Sequence, residues 1–161
     1  MNAIDLLKLQ HREVDVLFMR ASKAALDEKV GLLGQIAEKL TLHTRIEEQH
    51  LYPFARRMGI QDLVDHSLKE HMEAKRLIAN LLQCKRSDPK LNQELAQLQQ
   101  TVRQHVKEEE EKLFPRLSEL ASAEDLEQLG GTLQQSADEL ANQELLTMAE
   151  NEGSALPPVQ S

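Results

Sequence analysis

Four stretches of this chain carry apolar residues at helical spacing, and a histidine interrupts each stripe near its middle. The first stripe is Ile4, Leu7, His11, Val14, Phe18 and Ala21. The second is Leu33, Ile36, Leu40, His43, Glu47, His50 and Phe54, and the third is Leu63, Ser67, His71, Ala74, Ile78 and Leu81. The fourth runs Leu91, Leu95, Leu98, Val102, His105 and Glu109, then Lys112 or Leu113, Arg116 or Leu117, and Leu120. Residues three and four apart share a helix face, so each histidine lies on the face that its helix buries. A polar side chain there costs free energy unless it finds a partner. The helices must therefore pack so that the histidines meet something.

The connections expected between these helices are short. Asp27 to Lys29 separates the first two, and Met58 to Ile60, centred on Gly59, separates the next two. Ser87-Asp88-Pro89 places an N-cap residue before a proline suited to the first helical position, so the fourth helix is expected to start there. Pro53 and Pro115 fall within or at the ends of long helical patterns and predict kinks or early ends. Ser122 with Asp125 predicts the start of a fifth helix through Leu126, Leu129, Leu133 and Leu140, which Gly130-Gly131 should weaken. Aromatics make up only 2% of the chain, and Leu, Ala, Glu, Gln and Lys dominate, a composition that favours helices over sheets. The expected fold is all-α: an up-down-up-down antiparallel four-helix bundle with a short fifth helix over residues 1–143, and a flexible, disordered tail over 144–161. At 1.5 Å per residue, the four histidines then come within about 3–5 Å of one level.

The chain also repeats itself. HTRIEEQHLYP from His43 and HVKEEEEKLFP from His105 align without a gap, and His11 and His71 stand at nearly the same offset. Each half supplies one lone histidine and one His-x-x-x-Glu. His43 with Glu47, and His105 with Glu109, lie one turn apart on one face and can aim an imidazole and a carboxylate at one centre. Four histidines and two glutamates exceed the four ligands of a tetrahedral zinc. They suit two ions bridged by both carboxylates, and mixed nitrogen and oxygen donors with room for an outside oxygen point to iron.

The segments LLKLQHREVDVLF, LHTRIEEQHLYP, DLVDHSLKEHMEAKRLI and QHVKEEEEKLFP together resemble the hemerythrin-like family, also called the HHE cation-binding domain, over roughly residues 1–143. The resemblance implies a four-helix bundle with a non-haem di-iron centre, oxo- and carboxylate-bridged, held by His11, His43, Glu47, His71, His105 and Glu109. It implies a small partner, O2 or NO or peroxide, and a role in binding or sensing it or in handling iron. An enzyme consuming peroxide or NO, or contributing to iron–sulfur cluster repair under stress, is the alternative. Oxygen-carrying members have a further histidine one turn before the third-helix ligand, where this chain has Ser67. His66 is about 140° off the His71 face and does not substitute for it.

Other polar residues have plainer readings. His50 is read as packing or as a partner to a ligand; Glu47-x-x-His50 matches half of the ferritin-like signature, but Val102 stands where the second glutamate is needed. The acid run Glu108 to Glu111 is read as a solvated face with Glu109 alone turned inward. Met19, Met58 and Met72 are gap-fillers. Phe18, Tyr52, Phe54 and Phe114 are core residues that also keep bulk water from an oxygen-binding position. A formal charge of −8 argues against phosphate binding and hence nucleic acid. The lone Cys84, the lack of a basic leader before an apolar core, and the lack of a membrane-length apolar run predict a cytoplasmic protein, monomer or homodimer.

Overall fold

The structure, a computed structural model, describes residues 1–155; residues 156–161 lie outside the described residues. Helix α1 (Ala3–Lys23) is capped by Asn2, whose side chain accepts from the Asp5 N–H. Helix α2 (Leu26–Ile46) passes through a π-helical turn (Glu47–Leu51) into α3 (Tyr52–Arg57). After Gly59, whose φ of 87° favours glycine, comes α4 (Asp62–Gln83). Helix α5 (Leu91–Glu108) passes through a second π turn (Glu109–Leu113) into α6 (Phe114–Leu120), and α7 (Ala123–Ala155) closes the chain. Among the described residues there is no strand.

Three boundaries differ from those the sequence predicts. The first turn is Ala24-Ala25, so Asp27 and Glu28 sit in the first turn of α2, where carboxylates suit the helix dipole. Helix α5 starts at Leu91 rather than at Pro89, because the Asp88 carboxylate accepts from the Lys90 N–H and holds a separate turn. Helix α7 runs on to Ala155, well past residue 143, with its 141–147 side chains exposed; the expected tail is thus helical through Ala155.

The prolines neither end the long helices nor break them. Each stands six residues after a glutamate that opens a π turn, Pro53 after Glu47 and Pro115 after Glu109. Proline in a helix lacks an N–H and crowds the carbonyl four residues back. One extra residue in the preceding turn relieves this, and the backbone bonds run from Tyr52 N–H to Glu47 O and from Phe114 N–H to Glu109 O. The extra residue also settles the choice left open in the fourth stripe: Leu113 and Leu117 are buried, while Lys112 and Arg116 are exposed.

The apolar core is in two parts. One, around Leu7, Ile46, Leu51, Ile60, Leu113, Leu117 and Leu133, lies beneath α7. The other, around Phe18, Leu32, Ile36, Leu77, Leu95 and Leu98, fills the far end of the bundle. The buried histidines and glutamates belong to neither cluster and form the layer between them.

Helix α7 lies across the start of α1. At Gly130 a Cβ would fall inside contact distance of the Met1 carbonyl oxygen and 2.8 Å from the Asn2 carbonyl carbon, whereas at Gly131 it would meet open space. The pair read from sequence as weakening the helix includes one glycine that the packing demands.

Candidate metal centre

The structure brings His11, His43, Glu47, His71, His105 and Glu109 together in one buried layer. The rings of His11 and His43 have centroids 4.8 Å apart, and those of His71 and His105 are 4.7 Å apart. Both carboxylates are closed off from solvent, Glu47 at 0% and Glu109 at 1% exposure. The Glu109 carboxylate spans the layer, with Oε1 3.2 Å from His11 Nε2 and Oε2 3.4 Å from His105 Nε2. Glu47 Oε1 lies 3.1 Å from His43 Nε2 and 3.2 Å from His71 Nε2. The donor atoms form two adjoining groups, His11, His43, Glu47 and Glu109 in one, and Glu47, His71 and His105 in the other, with Glu47 in both.

What lies behind the imidazoles decides which atoms point inward. His11 Nδ1 is 2.7 Å from Glu110 Oε2, His43 Nδ1 is 2.6 Å from Gln10 Oε1, and His105 Nδ1 is 3.0 Å from Glu70 Oε1. His71 Nδ1 faces Glu48 Oε2 at 3.6 Å. Carboxylate and amide oxygens only accept, so Nδ1 carries the proton in the hydrogen-bonded three and leaves the Nε2 lone pair facing the centre. The pattern follows the internal repeat: the residue after each inward glutamate backs the lone histidine of the other half, and the residue before each lone histidine backs the paired one. The acid run is therefore not merely a solvated face, since Glu110 holds His11 and Glu108 lies 2.7 Å from His66.

Tyr52 is the residue that sequence reasoning placed in the core and the structure places in the centre. Five residues after Glu47 it would point about 140° away on an α-helix; the π turn swings it back. Its hydroxyl is 2.9 Å from Glu109 Oε2, 3.0 Å from His71 Nε2 and 3.3 Å from Glu47 Oε1. In the other half the same place holds Phe114, whose ring stacks on His11 at 6.0 Å. At this place the two halves of the centre differ by one hydroxyl. Phe18 and Phe54 lie in the two core clusters instead. His50 lies outside the centre, lining a groove with Phe54, Arg57 and the first turns of α7.

The electrostatics are those of two buried carboxylates set among four imidazoles. Burial raises the Tyr52 phenol well above its usual range, and the charges of Glu109 and Glu47 add to that. Burial would raise Glu47 as well, but His43 and the hydrogen bonds of His105 and His71 outweigh it and hold the carboxyl well below its usual range. Burial works against the charged form of His105 and His11, yet Glu109 overcomes it and raises both, His105 the more. Even so, His11 Nε2, His43 Nε2, Glu47 Oε2 and Glu109 Oε1 are buried without a hydrogen-bond partner. Buried carboxylates cost several kcal/mol each unless well paired. Cations satisfy all of these atoms at once. The spacing suits them too: His71 and His105 Nε2 are 3.2 Å apart, as two nitrogens at about 2.1 Å from one ion at near right angles would be. Val14, Leu40, Ala74 and Val102 line a small apolar cavity of ≈ 20 Å³ against the four histidines, room for about one water-sized molecule.

The family described as Hemerythrin HHE cation binding domain matches residues 2–117. A curated relative, a DNA nickase of Nostoc sp. (strain PCC 7120), is 31% identical over 129 residues, which are 80% of this chain and 37% of the relative. The match thus spans little more than a third of that longer protein. The crystal structure of a Hemerythrin HHE cation binding domain-containing protein, the Rv2633c homolog from Mycobacterium kansasii, superposes with a TM-score of 0.83 at 24% identity. That superposition covers 92% of this chain and 93% of the other, and it shows the shared helical fold.

Proposed function

This chain belongs to the hemerythrin HHE cation binding domain family, and from that premise we propose that its buried layer holds a non-haem di-iron centre that binds or senses O2 or NO, or handles iron. The observation that carries the proposal is the set of buried, unpartnered nitrogen and oxygen atoms converging from four helices. Imidazole nitrogen with carboxylate oxygen suits iron better than the thiolate-rich sets of structural zinc. His11 and His43 would hold one ion and His71 and His105 the other, with Glu47 and Glu109 shared between them. When bound, the pair supplies one-electron chemistry toward small oxygen and nitrogen ligands.

The chain's own residues set the conditions. Glu110, Gln10 and Glu70 keep three imidazoles in the tautomer that offers Nε2. Val14, Leu40, Ala74 and Val102 keep the cavity apolar and small, which admits a diatomic and disfavours bulk water. Tyr52 is a further donor: its oxygen is aimed at the same point as His71 Nε2 and Glu109 Oε2, and with a cation bound, passing its proton by way of the Glu109 carboxylate to solvent would make it a ligand. Tyr52 also favours a second reading, in which the centre consumes peroxide or NO, because a phenol there can give up a proton to a bound small molecule. No helix among the described residues is long and apolar enough to cross a membrane. The DNA-nicking activity of the longer relative we assign to the whole of that protein, since this acidic chain offers little for phosphate.

Iron analysis with an absorption spectrum of air-purified protein tests the proposal. Two irons per chain and near-ultraviolet charge-transfer bands are expected, and a colourless zinc protein refutes it. His105→Ala should lower the iron content, and full occupancy in that variant overturns the ligand assignment. Adding O2, NO or peroxide to the reduced protein then separates binding, seen as a stable adduct, from turnover.

A further inference from the structure

We propose a separate surface site, formed by His66, Glu70 and Glu108, that captures a divalent transition-metal ion on its way to the buried centre. His66 and Glu70 are one turn apart on α4, and Glu108 is the last residue of α5, opposite them. His66 Nε2 is 2.7 Å from Glu108 Oε2 and 3.6 Å from Glu70 Oε2, and one donor atom from each residue lies within 4.8 Å of the other two. An imidazole and two carboxylates are a ligand set for a first-row divalent ion, and three protein donors leave positions open for water and for exchange.

Three observations set this trio apart from an ordinary surface ion pair, which is worth little. First, among the described residues no lysine or arginine pairs with either carboxylate; the imidazoles of His66 and His105 are their ion-pair partners. Second, Gln104 Nε2 donates to Glu108 Oε1 at 2.7 Å, which turns Oε2, fully buried as an atom, toward His66. Third, the internal repeat provides its own control. The corresponding positions of the first half are Leu6, Gln10 and Ile46, with Leu6 and Ile46 buried in the core beneath α7. The second half keeps this corner open, with His66 side chain 55% exposed, and equips it with three ligating groups.

Glu70 joins the two places. Its Oε2 faces His66, while its Oε1 is 3.0 Å from His105 Nδ1, and His105 reaches the buried centre with its other nitrogen. An ion at the surface trio is therefore one carboxylate and one imidazole from its destination. The binding stands on the trio alone; the transit role rests on the proposed buried centre.

The test uses metal-free full-length protein, Co2+ for binding and anaerobic Fe2+ for loading. Wild type should take up one Co2+ beyond those of the buried centre, held more weakly and stripped first by a chelator. His66→Leu with Glu108→Gln should lose that ion and load Fe2+ several-fold more slowly, reaching the same final iron content. His43→Ala, which disrupts the buried centre, should keep the weak ion. Equal Co2+ uptake by wild type and the double variant overturns the surface site, whatever the buried centre does. Loss of the weak ion with unchanged Fe2+ loading overturns the transit role. If the double variant binds no Co2+ at all, the buried centre is refuted and the surface site stands.

Discussion

Replacing Tyr52 by Phe removes one oxygen and nothing else from the buried layer, which makes it the sharpest probe of how the centre is built. In metal-free protein that hydroxyl donates to Glu109 Oε2 at 2.9 Å, a buried hydrogen bond to a charged acceptor. Such bonds contribute about 1.5–3 kcal/mol, and the acceptor left behind stays buried. For a chain of this size each kcal/mol moves the melting temperature by about 2–4 °C, so Tyr52→Phe should melt about 3–12 °C lower without metal. With ferric iron bound, a phenolate ligand gives a visible charge-transfer band that histidine and carboxylate do not. Tyr52→Phe should keep its iron, held by the remaining six side chains, and lose that band. Phe114→Tyr, which puts a phenol at the equivalent place of the other half, should gain a second one. Iron-replete wild type and Tyr52→Phe with identical visible spectra would show that the phenol is a neighbour and not a ligand, and an unchanged metal-free melt would remove its structural role too.

Gly130→Ala and Gly131→Ala, adjacent and chemically identical changes, should have opposite effects. The first drives a methyl into the backbone of Met1 to Ala3 and should cost about 1–3 kcal/mol, while the second meets open space and should stabilise the helix by up to about 1 kcal/mol, both read by denaturant unfolding. Glu110→Ala takes the acceptor from His11 Nδ1 and should weaken metal binding about 10–100-fold in a competition with a chelator; unchanged affinity would refute the tautomer argument. Metal-free stability should be greatest between about 4.5, the ordinary value of a glutamate carboxyl, and about 6.5. The folded-state pKa values of His105 and His11 are raised above 6.5, so their contribution is whole below 6.5 and is lost as pH climbs through them; that of Glu47 is lost as pH falls through its folded value. Thermal melts that rise steadily above about pH 6.5 would contradict this.

The helical architecture was legible because it rests on periodicity. Ile4, Leu7, Val14, Phe18 and Ala21 mark a buried face whatever they pack against, and the histidines within the stripes had to face inward with them. The convergence of six side chains was legible for the same reason, joined to the rise of a helix and the shortness of the turns. What the periodicity hid were departures from 3.6 residues per turn. A reading on strict α-helical phase turns Tyr52 away from the centre and leaves Lys112 and Leu113 equivalent, and only the π turn resolves both. Its cause was on view in Pro53 and Pro115, which the widened turn accommodates in place of a kink. The backing residues Gln10, Glu48, Glu70 and Glu110 were hidden for another reason: each is charged or amide-bearing and half-exposed, hence indistinguishable by composition from a solvated face. The repeat carried their signal, because each occupies the position next to a ligand in both halves.

That repeat also explains why the centre need not be symmetric. Two halves of similar sequence supply similar ligands, yet three differences fall at equivalent places: Tyr52 against Phe114, Glu70 against Gln10, and the trio of His66, Glu70 and Glu108 against Leu6, Gln10 and Ile46. All the added polar groups act on the side of His71 and His105, through the phenol, through the carboxylate on Nδ1, and through the open corner behind it. The side of His11 and His43 has the phenyl ring stacked on His11 and a neutral amide behind His43. More anionic donors make the first side the stronger holder of a highly charged ion, and fewer leave the second side the one with coordination to spare. Helix α7 contributes to this division, since by covering Leu6 and Ile46 it closes the corner of the first half that corresponds to the open trio. On this reading the two ions should differ in how readily a chelator removes them, with the ion at His11 and His43 leaving first; simultaneous loss of both would show that the phenol and the carboxylate confer no such difference.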